Sequence, residues 1–205
     1  MVKILRCHLI RHAPADYPKG ILPPEDPDAI LPTNNQITQL IKKLPNNASW
    51  WLSPLRRCQQ TAEALLSSEL QTASIHHQPL LAEQSFGDWH GQNISEVWGE
   101  LERQQKHNWS FVHPDTTPPN GESFHQVVER QLVLQKHLSE VETEDLVIVA
   151  HSGVIKAWLC IALGMSPAQA LSCQINPFSL SQLSWMKEGA VIGSPEWQLL
   201  SLNVV

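Results

Sequence analysis

The 205-residue sequence predicts an α/β protein, a three-layer sandwich around a mostly parallel central sheet. Three observations point there. Short apolar runs alternate with stretches of helical periodicity through most of the chain. The clearest run, "DLVIVA" at 145–150, leads straight into "HSG" and an apolar stretch, "VIKAWLCIALG", as a strand feeding a crossover helix does. Only the end departs from alternation, with "LSQLSW" and "WQLLSLNV" reading as two successive strands.

The elements follow in order. Residues 3–10 read as a buried strand, and "NNQITQLIKKL" then sets Ile37, Leu40, Ile41 and Leu44 on one helical stripe. "ASWWLS" is the next strand. After it, Ser53 and Pro54 suit a helix start, and Cys58, Ala62, Leu65, Leu66 and Leu70 recur at helical spacing across 55–70. "TASIHHQ" reads as a strand and "FGDWHG" as a tight turn. A helix is expected over about 94–107 with Val97, Trp98 and Leu101 inward. Another is expected over about 122–139 with Phe124, Val127, Val128 and Leu132 inward. The eight tryptophans fall mostly on apolar faces, so core filling is their expected role.

Composition narrows the function. With 42% hydrophobic residues the chain can bury one sizeable core, and no linker-like tract divides it. A net charge of -6 argues against nucleic-acid binding, so an anionic ligand must meet a local cationic site. Cys7, Cys58, Cys160 and Cys173 form no C-x-x-C pair, which suggests neither a disulfide framework nor a thiolate metal site and fits a reducing cytoplasm. The amino terminus has only a short apolar run broken by Arg6 and His8, so no secretory signal is expected. No apolar stretch approaches the roughly 20 residues of a membrane span, and a soluble cytoplasmic protein with no membrane partner is expected. Two Pro-rich loops, 19–32 and 113–121, are expected to rim a site and set its selectivity.

In sheets of this kind, ligands gather at the carboxyl ends of the strands. Arg11 and His12 end one predicted strand, His151 follows another, and Arg57 lies in the first turn of the helix after a third. Alone, a strand-end His is more often capped or solvent-facing than a nucleophile, and a single Arg is usually a surface charge. Together they make a phosphate cradle: guanidinium forks match phosphate oxygens, and N–H groups at a helix start favour the same anion. Within it a neutral imidazole is a nucleophile for phosphorus, because adjacent arginines disfavour its protonation. A departing alkoxide also needs a proton donor, for which a carboxylic acid is the natural choice.

Four segments make the chain recognisable: "LIRHA" at 9–13, "SPLRRCQQTAE" at 53–63, "LLAEQSFGDWHG" at 80–91 and "VIVAHSGVI" at 147–155. In this order and spacing they resemble the histidine phosphatase superfamily, with its phosphoglycerate-mutase-like fold, over nearly the full length. The resemblance implies a single domain over 1–205. It implies that His12 is the nucleophile that becomes phosphohistidine, with Arg11 and Arg57 binding phosphate, His151 as the second pocket histidine and Glu83 as proton donor. Asp88 is the rival acid, read here as bracing the turn. No metal and no cofactor are implied. The expected partner is a small phosphorylated substrate, and a homodimer is left open.

The first motif continues with Ala13, Ala15 and Pro18, where mutases of the superfamily carry Gly, Thr and Asn, so phosphoglycerate mutase activity is not expected. "FGDWHG" and "PNGESF" resemble the α-ribazole phosphatase branch, which acts on a nucleotide-like phosphomonoester in cobalamin assembly. His90 stands where that branch commonly has Glu, and "GILPPEDPD" replaces a Gly-rich segment. The expected activity is therefore a metal-independent phosphomonoesterase, with α-ribazole 5'-phosphate the leading substrate. Another small phosphate ester, a phosphoprotein, or a phosphate-binding module without turnover stand as alternatives.

Overall fold

The computed structural model describes residues 3–67, 70–101 and 105–205. In chain order the elements are β1 (Lys3–Arg11), α1 (Asn34–Ile41), β2 (Ala48–Leu52), α2 (Arg56–Leu66), β3 (Thr72–His77), α3 (Ile94–Glu100), α4 (Phe124–Gln135), β4 (Asp145–Ala150), α5 (Ser152–Leu163), α6 (Pro167–Leu171), β5 (Leu180–Glu188) and β6 (Trp197–Val204). The six strands form one sheet in the order β3-β2-β4-β1-β5-β6. β4 pairs in parallel with both β1 and β2, and β2 with β3, whereas β5 and β6 are antiparallel at one edge. The sheet is mostly parallel, as the sequence predicts.

Helices cover both faces of β4, so its side chains supply two cores in alternation. Leu146, Ile148 and Ala150 pack with Leu5, Cys7 and Leu9 of β1 and with Val154, Ile155 and Trp158 of α5. Val147 and Val149 pack on the opposite face with Leu40 of α1 and with Ala62 and Leu65 of α2. Each Leu, Ile or Val among them contributes roughly 1.5–3 kcal/mol by leaving water. A charge at Val147 would face the same fully apolar surroundings that hold this layer together.

The parallel register positions the site. Arg11 lies opposite Ala150, and Leu52 opposite Val149. Strands β1, β4 and β2 therefore end level, and His12, His151 and Ser53 leave from one edge. The ladder runs one step further, with His12 N–H donating to Ala150 O at 2.9 Å and Ser53 N–H to Val149 O at 3.1 Å. Between β3 and α4 the chain is mostly irregular, and Trp89, Val97, Leu101 and Val112 bury one another there with Leu22 of the first Pro-rich loop. This satellite core forms a roof beside the strand ends.

Several sequence expectations need correction. α3 stops at Glu100, residues 105–107 are not helical, and 102–104 lie outside the described residues, as do 68–69 of the predicted extension of α2. Trp98 turns outward, beside Phe111 with Lys106 over its ring. Leu132 is 45% exposed, because α4 presents Val127, Gln131 and Leu134 inward instead. Gln131 breaks the apolar pattern yet is fully buried, since its amide donates to Leu80 O at 2.5 Å. Helix α6 is not among the predicted elements; Ser166 caps it reciprocally with Gln169, and Pro167 fits its first turn. Of the tryptophans, Trp50, Trp51, Trp89 and Trp158 fill core, Trp109 is exposed, and Trp185 stacks on Trp197 at the antiparallel edge. Among the described residues no helix is long and apolar enough to cross a membrane.

Candidate active site

His12 stands one residue past β1 and is buried. Its Nδ1–H donates to Ala13 O at 2.5 Å, which leaves Nε2 with a lone pair, and Arg57 Nε–H lies 3.3 Å from that atom. Burial, reinforced by Arg57 and Arg11, pushes the imidazole pKa down to about 3. The ring is therefore neutral near pH 7, in the tautomer a nucleophile needs. The segment is tied in place from two sides. Ala13 N–H donates to Thr61 Oγ1 at 2.9 Å, and Phe178 N–H reaches Arg11 O and His12 O at 3.0 and 3.1 Å. Phe178 does so with φ at 60°, a left-handed conformation that a bulky residue adopts only under constraint.

His151 is the N-cap residue of α5 and is fully buried. Its ring centre lies 5.0 Å from that of His12. Ser53 Oγ meets its Nε2 at 2.7 Å and Cys58 Sγ lies 3.4 Å from the same atom. Burial first, then the nearby arginines, hold it well below the ordinary histidine value. Ser53 thus orients a histidine rather than capping α2, whose N-cap residue, Leu55, makes no side-chain cap.

Arg57, in the first turn of α2, is buried beside both imidazoles. Besides His12, it donates through Nη1 to Glu25 O at 3.2 Å, and Asp26 Oδ1 is 3.8 Å away. Arg11 donates through Nη1 to Ile175 O at 2.6 Å, while its buried Nε–H has no protein partner. Burial lowers its pKa, opposed by Glu83. A buried guanidinium donor without a partner, next to a second guanidinium, suits an anion's oxygens. Arg56, the neighbour of Arg57 in sequence, is exposed and ion-paired with Asp28 at 2.7 Å.

Glu83 follows a 3-10 turn at Pro79–Leu81. Its carboxylate accepts from Gln84 N–H at 3.0 Å and from Gly153 N–H of α5 at 3.5 Å. A Cβ at Gly153 would stand 2.5 Å from Glu83 Oε1, so any larger residue there would push the carboxylate aside. A cleft of about 160 Å3 opens beside Arg57 and Glu83, walled by Pro23, Pro24, Phe86 and His90. Two larger cavities, about 530 Å3 beside β3 and about 310 Å3 beside Ile30 and Phe178, contain none of the five predicted site residues.

The five predicted side chains thus surround one region at the strand ends. Sequence reasoning missed Ser53, whose position at the end of β2 was the available signal, and Gly153, two residues after His151. It also overextended the rim. The loop 19–32 does wall the cleft, but 113–121 braces the Gly87 turn from behind, with Pro119 O accepting from Asp88 N–H at 2.9 Å. Asp88 supports that turn as expected, accepting from Asn120 Nδ2 at 3.0 Å.

A family model, the histidine phosphatase superfamily (branch 1), matches residues 7–198. The chain belongs to the histidine phosphatase superfamily. As a member, it is a phosphatase of that superfamily. It is 27% identical over 167 residues, 78% of this chain and 79% of the relative, to a Hydrogenobacter thermophilus protein with the provisional name phosphoserine phosphatase 2. Solved structures share the histidine phosphatase fold at lower identity. A mycobacterial glucosyl-3-phosphoglycerate phosphatase superposes with a TM-score of 0.74 at 22% identity, over 99% of this chain and 100% of that one. The α-ribazole phosphatase of Shigella flexneri gives 0.69 at 22% identity, over 97% and 96% of the two chains.

Proposed function

We propose that this histidine phosphatase is a metal-independent phosphomonoesterase working through phosphohistidine at His12. The observation that carries the reading is the His12 ring itself, a buried neutral imidazole with Nδ1–H spent on Ala13 O and Nε2 facing Arg57. His12 Nε2 attacks phosphorus as the ester P–O bond breaks, and the Glu83 carboxyl gives its proton to the leaving oxygen. Glu83, now a carboxylate, takes a proton from water, whose oxygen attacks phosphorus and breaks the P–N bond. Inorganic phosphate leaves, and both residues return to their starting forms. Arg11, Arg57 and His151 stabilise the equatorial oxygens, where charge gathers in a loose phosphoryl-transfer transition state.

For the substrate, α-ribazole 5'-phosphate leads. Phe86, Pro23 and Pro24 offer apolar walls beside the catalytic groups for a nucleobase-like ring, and a solved relative is an α-ribazole phosphatase. Phosphoserine is the second reading, favoured by the small cleft of about 160 Å3 and by the name of the Hydrogenobacter relative. The experiment is a panel of both esters, sugar phosphates and nucleotides, run with chelator present and repeated on His12→Ala. Selective turnover of α-ribazole 5'-phosphate that survives chelation and vanishes in the variant supports the full reading. Preference for another ester removes the substrate assignment, and undiminished hydrolysis by His12→Ala removes the mechanism.

A further inference from the structure

Glu83 sits on irregular backbone, and among the described residues its carboxylate is hydrogen-bonded only by Gln84 N–H and, at the longer 3.5 Å, by Gly153 N–H. Its placement therefore depends on what fixes residues 80–85. Two side chains, one just before α4 and one within it, do so. Arg130 donates through Nη1 to Leu80 O and through Nη2 to Ala82 O at 2.7 Å. The same guanidinium meets Glu122 through Nε at 2.9 Å and Nη2 at 3.3 Å. Glu122 in turn accepts from Ser85 N–H at 3.2 Å, and its backbone bonds Ser85 O and the Gln84 amide, each at 2.9 Å. The acid's segment is thus gripped on its amino-terminal side by Arg130 and on its carboxyl side by Glu122, with the two grips joined by a largely buried ion pair.

We propose that Arg130, locked by Glu122, is the positioning residue for Glu83, an inference that rests on reading Glu83 as the acid. The guanidinium is suited to this because one rigid fork addresses two carbonyls and a carboxylate at once, which a lysine ammonium cannot reproduce. A displacement of the segment by about 1 Å would remove the acid from reach of the leaving oxygen while leaving His12, Arg11 and Arg57 in place.

The test is kcat/KM for p-nitrophenyl, phenyl and alkyl phosphates on the full chain, comparing wild type, Arg130→Met, Arg130→Lys and Glu83→Gln. This parameter covers the steps up to alcohol departure. p-Nitrophenolate leaves without a proton, so Arg130→Met is expected within about threefold of wild type there, and reduced by about 30-fold or more on the alkyl ester. Arg130→Lys should follow Arg130→Met. A uniform loss across the series, or no loss on the alkyl ester, overturns the positioning role. Should Arg130→Met fail to fold, Glu122→Gln takes its place in the series: a loss confined to the poorer leaving groups supports the role, and a uniform loss or none overturns it. If Glu83→Gln lacks leaving-group dependence while wild type is active, the acid assignment falls and this inference with it. If wild type hydrolyses none of the esters, the phosphatase mechanism falls first.

Discussion

The floor of the site and its roof are built by different means. On the floor, His12, His151 and Ser53 each follow a strand of one parallel ladder, and register alone brings them level. In the roof, Glu83 and the cleft walls hang on side chain–backbone contacts and a small satellite core. Floor geometry is over-determined by two large cores, whereas the roof is held by a few side chains. In the proposed mechanism, phosphoryl transfer falls to the rigid part, and protonation of the leaving group together with selectivity falls to the adjustable one.

Substitutions sharpen this contrast. The largest effect is expected for His12→Ala, a loss of about a thousandfold or more in kcat/KM on every ester, with no dependence on leaving group. A loss confined to poor leaving groups would erase the distinction between floor and roof. Gly153→Ala comes next, because its Cβ meets the Glu83 carboxylate across the seam between the two parts. It should lower kcat/KM on alkyl phosphates by roughly 10–100-fold and spare p-nitrophenyl phosphate. Alanine is favoured over glycine within a helix, so a fall in activity without a fall in melting temperature is the expected pattern.

Acid should act on the floor. His12 and His151 are kept neutral by burial, then by the arginines, below the ordinary value of 6.5. The unfolded chain therefore binds more protons than the folded one below that value, and stability falls as pH drops. The slope is at most roughly 1.4 kcal/mol per pH unit for each histidine, between about pH 6.5 and pH 4. Urea midpoints across that range check it, with His151→Gln flattening the curve; an unchanged slope in the variant contradicts the account. The smallest effect is expected for Leu22→Ala. Leu22 docks the Pro-rich loop on the roof, where Leu22 N–H donates to Gln92 O at 2.8 Å and His90 Nδ1–H to Pro23 O at 2.8 Å. Losing its side chain costs about 2–3 kcal/mol locally. KM for bulky esters should rise severalfold, with kcat on p-nitrophenyl phosphate kept. An equal change on both substrates would place the loop outside selectivity.

The same division explains what the sequence disclosed. "DLVIVA" followed by "HSG" is legible because a strand buried on both faces is apolar at every step, and its end is where polar residues resume. His12, Arg57 and His151 could be brought together from that rule alone; Glu83 needed the family resemblance. Trp98 and Leu132 were misplaced because their exposure depends on partners far along the chain, and Gln131 is buried through a bond to Leu80 that no local pattern contains. Arg130 lies in α4, far along the chain from the segment whose carbonyls it holds, and nothing in its surroundings marks it apart from any other helix arginine. Ser53 looked like a helix cap because the chemistry of capping and of orienting an imidazole calls for the same hydroxyl.

The most direct measurement is a rapid quench with labelled substrate, followed by peptide mapping of the protein under alkaline conditions. The account requires a single labelled peptide containing His12, its phosphoryl group stable to alkali and lost in acid, and no label in His12→Ala. Label on a peptide without His12, or an adduct that survives acid, would contradict it.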